Sequence, residues 1–388
     1  MSIDTQTAPR APRGLADLIV ADTTIGDVRG QEGFFHYRQY DATQVARHRT
    51  FEDAWHLVLR GALPATQHDA DAWRDTIRTA ADIPAAVRDS ILATIRAASS
   101  GTPLADLRTA LSALGALTHD RPLWDLTAPQ RESAALAVAA RLPWLVAACH
   151  AIARGEQPRQ SRPELGHVGD YLWMVTGAEP SAQQVQALSR YLILTIDHGF
   201  NNSTFTARTV ASTGADTTAC VVAALGSLSG PLHGGAPSRA LDALDAIGTA
   251  DRAAAWARAQ LAAGDRVMGF GHAIYRGLDP RSELLRETAA ELGGDTAQLA
   301  IAAENEVVAV LDEVKPGRML RANVEYYAGV VMDACGVNRM LFTPTFAVSR
   351  VVGWTAHILE QAADTKIIRP SSHYVGPAAP VPVPGSPT

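Results

Sequence analysis

The stretch AALAVAARLPWLVAACHAIA, residues 134–153, is the most apolar in the chain, and its reading decides the fold. It has the length of a membrane span, but Arg141 and Pro143 interrupt it. Alanine, leucine and arginine favour helix over strand, and the same composition extends in long windows on both sides. The body therefore reads as soluble and nearly all helix. Strand signals are confined to residues 22–40, where Thr23, Ile25, Val28, Phe34, Phe35 and Tyr37 surround Gly26, Gly30 and Gly33, the pattern of a short ribbon or hairpin.

At 388 residues, with 47% hydrophobic and 19% charged side chains, the chain has ample material for a large core and lies far from disordered compositions. Of its 34 basic residues only Lys315 and Lys366 are lysines, and the net charge is -6. No basic face stands out, which argues against nucleic acid as a partner. Cys149, Cys220 and Cys335 are odd in number and widely spaced, so neither a disulfide framework nor a thiolate zinc site is expected. The N-terminus MSIDTQTAPRAPRG lacks the apolar core of a signal peptide. A reducing, cytoplasmic setting without membrane attachment is the expectation.

Local chemistry places several boundaries. Residues 1–13 and the Pro-rich 376–388 read as disordered ends. Thr50 suits an N-cap, with Glu52 and Asp53 in the first turn and Gly61 as the stop. Asp279-Pro280 opens a second helix that Gly293-Gly294 closes. No repeat or long linker separates tandem domains, so a second domain would be inserted within the first.

Neither G-x-x-x-x-G-K-[ST] nor G-x-G-x-x-G occurs, which removes the P-loop and dinucleotide-binding readings. Three histidines stand beside glycine: Asp197-His198-Gly199, Leu232-His233-Gly234 and Gly271-His272. Glycine there suggests turns where backbone approaches something closely, either a helix end or a site. The three are far apart and form no H-x-x-x-H pair, so metal is not expected. Arg350 lies in an apolar helical stretch, and Arg281 opposes the dipole in the first turn after Asp279-Pro280. Each reads equally as an anion ligand or as a bland arginine, ion-paired for Arg350 and solvated for Arg281. Glu325 sits among Val324, Tyr326 and Tyr327, where burial would raise its pKa; a solvated first-turn glutamate is the plainer reading.

Together, DHGFNNST (197–204), GPLHGGA (230–236), GFGH (269–272) with Asp279-Pro280-Arg281, and NVEYY (323–327) resemble the successive signatures of the citrate synthases, in that family's order and spacing. The resemblance begins near Gly14, includes Asp22-Thr23 and Tyr37-Arg38, and runs through Arg350 to Lys366-Ile367-Ile368-Arg369-Pro370. It implies an all-α, multi-helical two-domain architecture: a large domain of residues 14–233 and 334–375, and a small domain of residues 234–333. It also implies a homodimer that condenses acetyl-CoA with oxaloacetate, holds no permanent cofactor or metal, and uses acetyl-CoA as co-substrate. By resemblance, Glu325 is the base, His233 donates to the thioester oxygen and His272 polarises the oxaloacetate carbonyl. His198, Asn202, Arg281 and Arg350 bind oxaloacetate, with Arg369 reaching in from the other subunit, while Arg276, Lys315, Arg318 and Arg321 are cations for CoA phosphates.

One departure stands at the centre of this resemblance. Most of the family has aspartate where Glu325 stands, and a misplacement of about 1 Å can cost about a hundredfold in rate, so a compensating backbone position is expected. Three other readings stay open at this point: a 2-methylcitrate synthase using propionyl-CoA, a non-catalytic sensor of CoA or oxaloacetate, and a metal-dependent hydrolase built on the three histidines.

Overall fold

The computed structural model describes residues 12–15, 18–231, 233, 234, 236–272, 274–377, 379–381, 383 and 384. Most of the expected N-terminal disorder, and part of that expected at the C-terminus, lies outside the described residues. Three short strands, β1 (Gly26–Arg29), β2 (Phe34–Tyr37) and β3 (Tyr40–Asp41), form an antiparallel sheet in which Val28 faces Phe35 and His36 faces Asp41. This is the ribbon that the aromatic and glycine pattern predicts.

The rest is helical. α1 (Ala42–His48), α2 (Phe51–Arg60), α3 (Gln67–Ala81), α4 (Ala85–Ala98), α5 (Pro103–Leu117) and α6 (Ala128–Ala153) come first. α7 (Gly166–Thr176), α8 (Ala182–Thr195), α9 (Asn202–Ala211) and α10 (Thr217–Leu228) follow. Then come α11 (Ala236–Ile247), α12 (Ala253–Ala262), α13 (Pro280–Leu292), α14 (Asp295–Val314), α15 (Val324–Ala334) and α16 (Phe342–Ala363).

The local rules hold where they were applied. Thr50 accepts from the Asp53 amide and Asp53 returns the bond to the Thr50 amide, a reciprocal cap that satisfies two otherwise orphaned donors. Gly61 ends α2 in the left-handed conformation, and Gly293 caps α13. Apolar α6 runs unbroken through Pro143 and is mostly buried, packed against α3, α5 and α16. Its hydrophobicity serves the core.

α16 is the axis of that core. Nearly every residue from Thr345 to Ile358 is buried, against α2, α6, α8, α9 and α10. Burying so many apolar side chains, each contributing roughly 1.5–3 kcal/mol, outweighs the cost of carrying Arg350 inside the same helix. Elsewhere α13 packs on α15, α12 on α14 and α11 on both α14 and α15. The loops after α8 and α12 and the N-terminus of α15 meet beside α16.

Candidate active site

The turn between α8 and α9 carries His198. Tyr37 of β2 anchors it from below: its hydroxyl donates to the Ile193 carbonyl at 2.7 Å and lies 3.1 Å from that of Asp197. His198 is buried, and burial first, then the charges of Arg281, His272 and Arg350, pushes its pKa well below the usual value, so it is neutral.

At the next element, Asn201 caps α9 by accepting from the Thr204 amide at 3.1 Å, and Ser203 donates to Asn201 Oδ1 at 2.8 Å. Ser203 Oγ also accepts from Trp354 Nε1 at 3.1 Å and lies 2.8 Å from His233 Nε2. Burial and then Arg350 lower His233 to about 4, which keeps this imidazole neutral too.

The loop after α12 reaches His272 through Gly271, whose φ of +87° is open to glycine at little cost. His272 Nδ1 accepts from the amides of Ile274 and Tyr275 at 3.0 and 3.2 Å. With that nitrogen used as an acceptor, the neutral ring carries its hydrogen on Nε2. His272 is lowered to about 4, chiefly by burial and then by Arg281. Its Nε2 lies 3.1 Å from Arg281 Nη2. At that separation nothing fits between the two nitrogens, but an acceptor oxygen beside them, in the cavity that both residues line, meets both.

The two arginines separate. Arg281 is buried but held by the N-cap of its own helix: Nε and Nη2 donate to the Asp279 carboxylate at 2.9 and 2.8 Å. Arg350 is equally buried, and among the described residues only its Nε has a hydrogen bond, to the Thr195 carbonyl at 2.8 Å. Among the described residues no carboxylate lies within 4.0 Å of it. This reverses the bland readings at the sequence level: the first-turn arginine is the one with an internal ion pair, and the arginine in the apolar helix is the one without.

Glu325 stands in the first turn of α15, which Asn323 caps and which Asp279 Oδ2 grips at the Val324 amide, at 3.0 Å. Burial raises its pKa to about 7; Arg281 opposes the rise and Asp279 adds to it.

One cavity of about 630 Å³ is lined by His198, His233, His272, Arg281, Glu325 and Arg350, and also by Asn201, Tyr191, Phe346, Arg239 and Arg266. Asn202 is not part of its wall: it is exposed, and its side-chain oxygen accepts from Ser227. Its neighbour Asn201 occupies the wall, because the N-cap residue turns inward where the first helical residue turns out. Arg369 is exposed on the segment after α16, outside the cavity. A second cavity of about 580 Å³ shares Arg266, Phe270, Gly271, His272 and Asn323 with the first, and all four expected cations, Arg276, Lys315, Arg318 and Arg321, line it. Arg321 is also paired with Asp312 at 2.8 Å.

A third cavity, near α3 and α7, is also rich in arginine, but Arg74 and Arg78 there each pair with an aspartate within 3.0 Å. It offers an anion no unopposed charge of the Arg350 kind. Among the described residues no three His, Cys, Asp or Glu groups converge as a metal requires.

Sequence reasoning missed Tyr275, Ser203 and Arg266. Asn201 was missed as well, although an asparagine just ahead of a helical run is an N-cap signal that could have found it. Tyr275 had no local signal, since its partners come from distant segments.

The fold and the cavity together define a class: a predominantly helical protein whose cavity gathers three neutral imidazoles, two buried guanidinium groups and a carboxylate of raised pKa. Comparison with known proteins narrows this: the family model of the citrate synthase C-terminal domain matches residues 14–371. Citrate synthases of Haloferax volcanii and Deinococcus radiodurans are 34% and 32% identical, each over 94% of this chain and 95% of the relative. Among solved structures, citrate synthase of Thermoplasma acidophilum, in a ternary complex with carboxymethyl coenzyme A and oxaloacetate, superposes with a TM-score of 0.85 at 25% identity, covering 96% of this chain and 98% of that one. The Thermotoga maritima enzyme gives 0.82 at 28%, covering 96% and 98%. The chain belongs to the citrate synthase family.

Proposed function

We propose that this protein condenses acetyl-CoA with oxaloacetate and water to give citrate and CoA. The observation that carries the reading is Arg350: a buried guanidinium without a carboxylate partner, opening on the cavity that also holds a carboxylate base of raised pKa. An uncompensated buried cation is costly unless an anion completes it. A small dicarboxylate does so, held by Arg350, Arg281 and His198, with Asn201 taking the place first expected of Asn202.

The chemistry follows from the donors. Glu325 removes a proton from the thioester methyl group, and a donor on His233 stabilises the enolate oxygen as charge develops there. The new carbanion attacks the oxaloacetate ketone, a carbon–carbon bond forms, and the ketone oxygen takes a proton at His272 Nε2 to become a hydroxyl. Water then cleaves the thioester, and CoA leaves as the thiol. Neutral imidazoles suit this sequence because they donate without competing with the arginines for the dianion.

The acyl-CoA lies with its phosphates toward Arg276, Lys315, Arg318 and Arg321. Residues 14–233 with 334–375 act as a large domain and 234–333 as a small one that closes over the substrates and excludes water. The active form is a homodimer to which the partner subunit's Arg369 contributes. Three free, buried cysteines are consistent with a reducing cytoplasm.

The test is release of CoA thiol on mixing acetyl-CoA and oxaloacetate. The native protein is expected to turn over, while Glu325→Gln keeps oxaloacetate binding and loses most turnover. Binding without thiol release by the native protein would make it a sensor, and an unimpaired Glu325→Gln would remove Glu325 as the base.

A further inference from the structure

Tyr275, in the loop between α12 and α13, lines the second cavity and backs two histidines of the first, His198 and His272. Its hydroxyl lies 2.8 Å from His198 Nε2, and its ring centroid is 5.4 Å from that of His198 and 4.9 Å from that of His272. Arg281 Cζ lies 5.6 Å from the ring centroid. The side chain is buried, and burial raises the phenol's pKa, so it keeps its hydrogen.

A phenol has one hydrogen to give. Among the described residues its hydrogen-bond partner is His198 Nε2, so donation there is what satisfies the buried hydroxyl. His198 is neutral, and a neutral imidazole that accepts at Nε2 carries its own hydrogen on Nδ1. Nδ1 has no hydrogen-bond partner among the described residues, and His198 lines the cavity beside Arg281 and Arg350. With this tautomer the cavity meets a donor. With the other it would meet a lone pair, which repels an anion.

We propose that Tyr275 is a positioning residue whose hydroxyl fixes the Nδ1–H tautomer of His198, so that this imidazole binds the substrate dicarboxylate as a donor. The inference rests on the assignment of the cavity to oxaloacetate made above. Tyr275 acts through His198 and not on the reacting atoms.

Tyr275→Phe keeps the ring and removes the donor. Nitrogen-15 histidine spectra of the full chain, with the His198 signals identified by their loss in His198→Gln, are expected to show a protonated Nδ1 in the native protein and loss of that pattern in Tyr275→Phe. The oxaloacetate KM is expected to rise about tenfold, in line with the loss of a charge-assisted hydrogen bond, with kcat changed less. An unchanged KM, or a raised KM with the His198 tautomer intact, overturns the proposal. Failure of the native protein to release thiol would count against the functional reading instead, and the tautomer experiment, which needs no turnover, would still decide whether Tyr275 sets the ring.

Discussion

Arg281 Nε and Nη2 sit 2.9 and 2.8 Å from the two carboxylate oxygens of Asp279, two residues earlier in the chain, and both side chains are buried. The same carboxylate caps α13 and grips the Val324 amide ahead of Glu325. One aspartate thus ties a cavity-lining cation to the helix that carries Glu325.

Asp279→Asn breaks this arrangement and leaves Arg281 buried without its counter-charge. The expected loss of stability is about 3–5 kcal/mol, read from denaturant midpoints. Asp279 contributes to the raised pKa of Glu325 and Arg281 opposes it, so in a variant that still folds the acidic limb of the rate profile should move to lower pH.

Arg350 predicts the opposite sign for stability. Removing a buried charge with no ion-pair partner relieves a desolvation cost, so Arg350→Met should be as stable as the native chain or more stable, by about 1–4 kcal/mol. Its oxaloacetate affinity, by calorimetry, should nevertheless fall at least a hundredfold, as expected for loss of a buried charged contact worth about 3 kcal/mol or more. A destabilised Arg350→Met that still bound oxaloacetate normally would contradict the reading of Arg350 as a ligand.

Glu325 must be ionised to act as a base, and its pKa stands at about 7. The value of kcat/KM should therefore fall as pH drops through about 7, approaching tenfold per unit below it. Stability runs the other way: with the pKa raised from 4.5 to about 7 on folding, the native state binds more protons in that window, and stability declines as pH rises through it. Subtracting the stability curve of Glu325→Gln from that of the native chain should isolate this slope. His233 and His272, lowered to about 4, stay neutral through the break at about 7 and titrate only far down the acidic limb.

Gly353 lets α16 lie against the turn that carries His198: a Cβ placed there would stand 2.1 Å from the Ile196 carbonyl oxygen. Gly353→Ala should cost about 1–3 kcal/mol or more through overpacking, seen as a lower melting temperature. It should also raise the oxaloacetate KM, because the helix bearing Arg350 and the turn bearing His198 are forced apart.

The sequence alone determined what short-range chemistry controls. The α2 boundaries follow from Thr50, Asp53 and Gly61, and those of α13 from Asp279, Pro280 and Gly293, because caps and left-handed turns are settled within a few residues. The helical character of 134–153 was legible from its composition, and the motif resemblance supplied the family and the residues expected for enolate chemistry. Tertiary structure alone decided which arginine is paired, that Asn201 rather than Asn202 reaches the cavity, and that Tyr275 touches His198. Each depends on atoms brought together from far along the chain. Arg350 keeps an open charge because the approach of α16 to the turn after α8 places a carbonyl, and no carboxylate, within its reach.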